Sequence, residues 1–151
     1  MILIDNNQLV IASLFYVMKH DPDIHESMLR HVVLNTYRMY RTRFSSKYGE
    51  LVICNDGGNY WRKDIFPNYK ASRSKAVKKS DMNWDEIYRM MDKIREEVIH
   101  NFPYKNIKIN SVEADDIIAI VCEKFHKQEE ILIVSSDKDF KQLQKYDGVR
   151  Q

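Results

Sequence analysis

The chain has two cysteines, three prolines and four glycines in 151 residues, and no long apolar run. Cys54 and Cys122 show no metal-binding spacing and fall in apolar stretches, which points to buried free thiols rather than a cysteine-held ion. No segment approaches the roughly 20 apolar residues that span a bilayer. Asp5 interrupts the apolar start, so nothing resembles a signal peptide. A soluble, reducing, cytoplasmic setting is the expectation. No internal repeat or low-complexity tract occurs, and neither sign of charge dominates, with 24 basic against 22 acidic residues and a net charge of +2. The total charge therefore says little about partners. A hydrophobic fraction of 44% in a chain of this length suits one domain with a sizeable core.

What the chain does have is carboxylates in unusual places. Asp5 and Asp56 follow the apolar runs Met1-Ile-Leu-Ile4 and Leu51-Val-Ile-Cys54, and Asp137 with Asp139 follows Ile131-Leu-Ile-Val134. Glu113, Asp115 and Asp116 stand at the start of a helix-like pattern. Ligand sites in open α/β sheets collect outside the carboxyl ends of the strands, so acids far apart in sequence converge there. Converging carboxylates repel unless cations or protons separate them, and the constellation points to bound metal.

The periodicity predicts strands over 1–5, 51–54, 107–109 and 131–135, with a turn near 146–151 entering a further strand. Helices are predicted over 8–19, 24–44, from about 84 and over 112–126. In the second, Met28, Val32, Leu34, Tyr37, Met39 and Tyr40 give an approximate apolar face, and Arg38, Arg41, Arg43 and Lys47 lend its end a positive character that suits the helix dipole. In the third, Asn83 and Glu86 form a capping pair ahead of the stripe Ile87, Met90, Met91, Ile94, Val98 and Ile99. Alternating strands and helices imply a three-layer α/β/α fold around a mostly parallel twisted sheet. Residues 61–82 read as a loop, and 61–80 hold seven basic residues against the single acid Asp64. A basic strip beside an acidic pocket suggests a phosphate-rich substrate.

Each acid also has a local explanation. Asn110 with Glu113, and Ser136 with Asp139, fit capping-box spacing. Asp5 suits a helix N-cap and Asp56-Gly57-Gly58 suits a turn. The joint pattern weighs the other way, because acids at Asp115 and Asp116 beside Ile117, Ile118 and Ile120 are costly without a cation, and Mg²⁺ accepts oxygen ligands from several of them.

Ser135-Ser-Asp-Lys-Asp-Phe-Lys-Gln-Leu143, Val112-Glu-Ala-Asp-Asp-Ile-Ile118, Phe66-Pro-Asn-Tyr-Lys-Ala-Ser-Arg73, Ile2-Leu-Ile-Asp5 and Cys54-Asn-Asp-Gly-Gly58 together resemble the motifs of the flap-endonuclease family of 5′-nucleases, nearest its phage ribonuclease H branch. The resemblance covers most of the chain in family order. It implies a PIN-like domain with a mobile helical arch, acting in primer removal on flap DNA and RNA·DNA duplexes at or near 5′ ends, in the host cytoplasm for a phage protein. It further implies two Mg²⁺ ions, with Mn²⁺ able to substitute, roughly 4 Å apart across the scissile phosphate. By motif, Asp5, Asp56, Glu113, Asp115, Asp116, Asp137 and Asp139 are the metal acids, with Asp5, Asp56, Asp115 and Asp137 assigned to the tighter ion and Asp139 and Asp116 toward the second. Lys70 and Arg73 correspond to catalytic basic residues at the foot of the arch. Arg62, Lys63, Tyr69, Lys75, Lys78 and Lys79 are the candidates for nucleic-acid contact, Tyr69 by stacking on a base or else by packing on Pro67. Branched or 5′-ended DNA and RNA·DNA hybrid are the implied substrates, and a single-strand DNA-binding protein or sliding clamp the implied protein partners.

Family members continue into a helix-hairpin-helix region that supplies further second-metal aspartates, whereas this sequence stops at Gln151. The expectation is therefore one nuclease domain over 1–151, with a basic loop and arch over about 62–101 and an incomplete second metal set. Two rival readings stay open, a catalytically weak nucleic-acid-binding fragment and a PIN-type ribonuclease that would not need the Tyr69-Lys70-x-x-Arg73 element. A receiver-like phosphoacceptor fits poorly, because it wants paired acids after the first strand, where Asn6 and Asn7 follow Asp5.

Overall fold

A computed structural model describes residues 1–21, 23–72 and 82–151. Among these, five strands form one sheet: β1 (Ile2–Asp5), β2 (Leu51–Asn55), β3 (Lys105–Lys108), β4 (Ile131–Val134) and β5 (Val149–Arg150). Their order is β3-β2-β1-β4-β5, and every pairing is parallel. The chain steps outward from β1 to β3 and then returns to the other side of β1. That reversal opens a crevice at the carboxyl ends of β1, β2 and β4.

Strands β1 and β2 are buried at every residue, as continuous Ile, Leu and Val runs must be when helices cover both faces. On one face Ile2, Ile4, Leu51 and Ile53 pack against α1 (Asn6–His20), α2 (Glu26–Tyr48) and α4 (Trp84–Asn101), with the short α3 (Arg62–Ile65) preceding α4 in the chain. On the other, Leu3, Val52, Cys54, Ile131 and Ile133 meet α5 (Ala114–Phe125) and the 3₁₀ helix Lys138–Lys145. The fold is thus the expected α/β/α sandwich. Both thiols are buried and free, and burial pushes Cys54 up to about 12.

Several expectations shift. In α2 the fully buried residues are Leu29, Val33 and Tyr37, one every four residues, with Leu34 and Tyr40 partly buried against the core, while Met28 and Met39 are exposed. Of the stretch expected to form a basic loop and arch over about 62–101, the described part from Trp84 is the helix α4, packed on the sheet. Ile87, Met91, Ile94 and Val98 fasten α4 into the core at about 1.5–3 kcal/mol per buried side chain, and Arg30 of α2 pairs with Glu97 at 2.7 Å. Part of the expected loop over 61–82 is the helix α3, and residues 73–81, including Arg73, Lys75, Lys78 and Lys79, lie outside the described residues.

Candidate active site

Asp5 ends β1 and caps α1, its Oδ1 accepting the Gln8 N–H at 3.2 Å. Its Oδ2 accepts from the Ser135 hydroxyl at 2.9 Å, and Ser135 Oγ in turn accepts the Asp137 N–H at 3.1 Å. One serine thus links the acids of β1 and β4. Asp137, rather than Ser136, caps the 3₁₀ helix through the Asp139 N–H at 2.9 Å. Gln151 ties the same loop down, its side-chain amide donating to the Ser135 and Asp137 carbonyls.

Asp56 leaves β2 and reaches the amino end of α5, where its Oδ1 accepts the Ala114 N–H at 2.8 Å. Its Oδ2 accepts from Asn7 at 2.6 Å and from the Tyr60 hydroxyl at 3.0 Å. A carboxylate at a helix amino terminus is favoured by the free N–H groups and the dipole. Beneath it runs a buried polar chain, in which the Tyr37 hydroxyl donates to Asn6 and Asn6 donates to Asn55 at 2.6 Å. These amides hold the ends of β1 and β2 in register.

The N-cap of α5 is Glu113, not Asn110. Its side chain is buried, and both oxygens are taken. Lys70 Nζ donates to Oε1, while Arg62 at 2.9 Å and the Tyr69 hydroxyl at 2.7 Å donate to Oε2. Arg62 also grips Asp116 with both arms of its fork, at 2.6 and 2.7 Å, which holds the Asp116 carboxyl below its usual range. Only Glu113 of this set is fully buried, so loss of a cationic partner there leaves a poorly compensated charge. The Tyr69 ring centroid lies 5.8 Å from the Arg62 guanidinium and 5.3 Å from Lys70 Nζ.

Asp5, Asp56, Asp115 and Asp137, with Lys70, Asn7, Gln8 and Ile11, line a cleft of about 240 Å³ at the sheet's carboxyl edge. A neighbouring cleft of about 550 Å³ shares Asp115 and Asp137 and adds Asp139, Arg62 and Tyr69. Burial raises the Asp5 carboxyl above its usual value, and the charges of Asp56 and Asp137 add to that. Desolvation and the Asp5 charge push Asp115 up to about 6, although its side chain reaches solvent at the cleft. Both shifts arise first from burial, with repulsion from neighbouring carboxylates as a lesser contribution that a cation would relieve.

Residues 1–150 match the family described as 5′-3′ exonuclease, N-terminal resolvase-like domain. The chain belongs to that 5′-3′ exonuclease family. It is 35% identical over 153 residues to the ribonuclease H of Enterobacteria phage T4, covering 99% of this chain and 50% of that protein. It is 33% identical over 92 residues to a 5′-3′ exonuclease of Mycoplasmopsis pulmonis, covering 61% of this chain and 28% of that one. The chain therefore spans half or less of the curated relatives it matches. Among solved structures, the phage T5 5′-exonuclease with zinc bound superposes with a TM-score of 0.70 at 16% identity, over 95% of this chain and 51% of that one. A bacteriophage T5 flap endonuclease in complex with DNA and metal ions gives 0.64 at 15% identity, over 92% of this chain and 49% of that one. These likenesses match the parallel sheet and helices described above.

Of the acids singled out in the sequence, the exonuclease-family domain brings Asp5, Asp56, Asp115 and Asp137 to one cleft and Asp139 to its neighbour, while Glu113 and Asp116 face Arg62. Among the described residues no three His, Cys, Asp or Glu side chains close around a single point. Lys63 is exposed, its Nζ 5.7 Å from the Tyr60 ring. Asn6, Asn7, Asn55, Tyr60 and Ser135 shape the site without having been singled out. Their one local signal was position, since each lies within a few residues of an acid at a strand end.

Proposed function

We propose that this chain is the nuclease half of a Mg²⁺-dependent, structure-specific 5′-nuclease that hydrolyses phosphodiesters at or near the 5′ ends of flap DNA and RNA·DNA duplexes, as in primer removal. The observation that carries the reading is the cleft shared by Asp5, Asp56, Asp115, Asp137 and Lys70 at the carboxyl edge of the parallel sheet. The donor chemistry fits a hard divalent cation, being all oxygen, multiply anionic and drawn from three strands and one helix. Asp5, Asp56, Asp115 and Asp137 are the residues that would hold it, with Asp139 toward a second ion. When bound, such cations accept phosphate oxygens and lower the pKa of an attacking water.

The chain's own groups do the rest. Asn7, Tyr60 and the Ala114 N–H orient Asp56, and Ser135 orients Asp5. Lys70 sits on the rim of the acidic cleft, where an ammonium stabilises charge developing on a phosphate oxygen. Arg73 is assigned the same role beside Lys70, while Lys63, Lys75, Lys78 and Lys79 supply sequence-independent backbone contacts. The rival reading is a nucleic-acid-binding fragment that keeps the basic run with little turnover.

One assay separates them: cleavage of 5′-labelled flap, nicked and RNA·DNA substrates with Mg²⁺, with EDTA, and by Asp137→Asn. Short 5′ products that vanish in the last two conditions are expected. Persistent cleavage by Asp137→Asn overturns the enzyme reading, and binding without cleavage favours the rival.

A further inference from the structure

We infer that Glu113 and Asp116 are positioning residues rather than cation ligands, forming with Arg62 and Tyr69 an internal ion-pair cluster that holds Lys70 at the rim of the acidic cleft. The inference deepens the function proposed above and rests on it. Glu113 is 1% exposed and does not line the cleft, whereas Asp115, two residues on, does. Residues three apart on a helix share a face and residues two apart do not, so the α5 amino end sends Glu113 and Asp116 one way and Asp115 another. A carboxylate offers about four lone-pair sites. Glu113 meets Lys70 on one oxygen and Arg62 and Tyr69 on the other. Asp116 meets both arms of Arg62, the Trp61 indole N–H at 3.4 Å and the Glu113 N–H at 3.4 Å.

The cationic side is built just as firmly. The Arg62 guanidinium lies 4.6 Å from the Trp61 ring centroid and 5.8 Å from that of Tyr69. Lys70 Nζ lies 5.5 Å from the Tyr60 centroid and 5.3 Å from that of Tyr69. The Lys70 backbone adopts φ 57°, a left-handed conformation that a lysine holds only where its surroundings enforce it. The side chain so aimed touches Glu113 at its tip and borders Asp5, Asp56, Asp115 and Asp137 along the cleft. Glu113 therefore acts through Lys70, the group that would meet phosphate.

The test is a Mn²⁺ titration by calorimetry on the whole chain, with Asp115→Asn, Glu113→Gln and Asp116→Asn. Asp115→Asn is expected to weaken Mn²⁺ binding by about tenfold or more, and the other two by less than about threefold. A loss in Glu113→Gln equal to that in Asp115→Asn overturns the inference. Flap cleavage by Lys70→Met, Glu113→Gln and the double variant is the second arm. Glu113→Gln should lower kcat with little change in KM, and the double variant should be no slower than Lys70→Met; losses that multiply overturn the inference. A wild-type chain that neither binds Mn²⁺ nor cleaves refutes the function proposed above instead. The inference is then decided in EDTA by a Lys70→Met and Glu113→Gln unfolding cycle, where coupling of about fivefold or more in the unfolding constant supports it and independent losses overturn it.

Discussion

The backbone of Gly57 lies against the carbonyl of Ile109 so closely that a Cβ at Gly57 would stand 1.8 Å from the Ile109 oxygen. The Gly57 N–H meanwhile donates to the Val112 carbonyl at 2.8 Å. The loop after β2 and the approach to α5 are thus pressed together, and that contact brings Asp56 to the Ala114 N–H.

Gly57→Ala should therefore damage stability and site together. Forcing the two segments apart costs about 1–3 kcal/mol, as overpacking does. Urea unfolding checks the first effect. The second is read as weaker Mn²⁺ binding in the folded variant, since Asp56 loses its seat.

Acidity should govern cation binding. Asp115 holds its proton up to about 6, against 3.8 for the free group, so the folded chain binds protons there that the unfolded chain has already released. The cation-free protein then loses stability as pH rises from 3.8 toward about 6. A divalent cation competes with that proton, so its affinity should climb through the same window and level off above it. Thermal unfolding in EDTA and in Mn²⁺ across that range measures both; an affinity independent of pH would refute the assignment of Asp115 to the cation.

Tyr37→Phe removes the hydroxyl that donates to the buried Asn6 side chain. An unsatisfied buried acceptor costs about 1–3 kcal/mol, so the midpoint of urea unfolding should fall. Because Asn6 also holds Asn55, amide hydrogen exchange should quicken at the ends of β1 and β2 rather than throughout the sheet.

Ile94→Ala should cost about 2–5 kcal/mol, the range for emptying a packed aliphatic site. Met28→Ala, at a position 42% exposed, should stay within about 0.5 kcal/mol. Equal losses at the two would contradict the phase of α2 and α4 seen here.

Much of this was legible in the chain. β-branched runs predicted β1, β2 and β4 to within a residue or two, because a parallel strand covered on both faces needs unbroken apolar sequence. Helix phase was harder to read in α2: Tyr37, Leu34 and Tyr40 of the expected apolar face do pack on the core, but packing against α1 and the sheet buries Leu29 and Val33 and leaves Met28 and Met39 exposed. The cap of α5 was misplaced for a similar reason. Asn110 and Glu113 have capping spacing, yet Ser111 turns left-handed at φ 63° and the helix begins after Glu113.

Sequence alone determined the order and kind of the elements and the placing of acids at strand ends, because periodicity and β-branched composition act over a few neighbouring residues. Only the tertiary structure decided which acids share a cleft and which are paired with Arg62 and Lys70. Ser135 and Asp5 are 130 residues apart, and Arg62 and Glu113 are 51 apart. A carboxylate's partner is set by through-space geometry once the sheet has closed, and no local pattern encodes it.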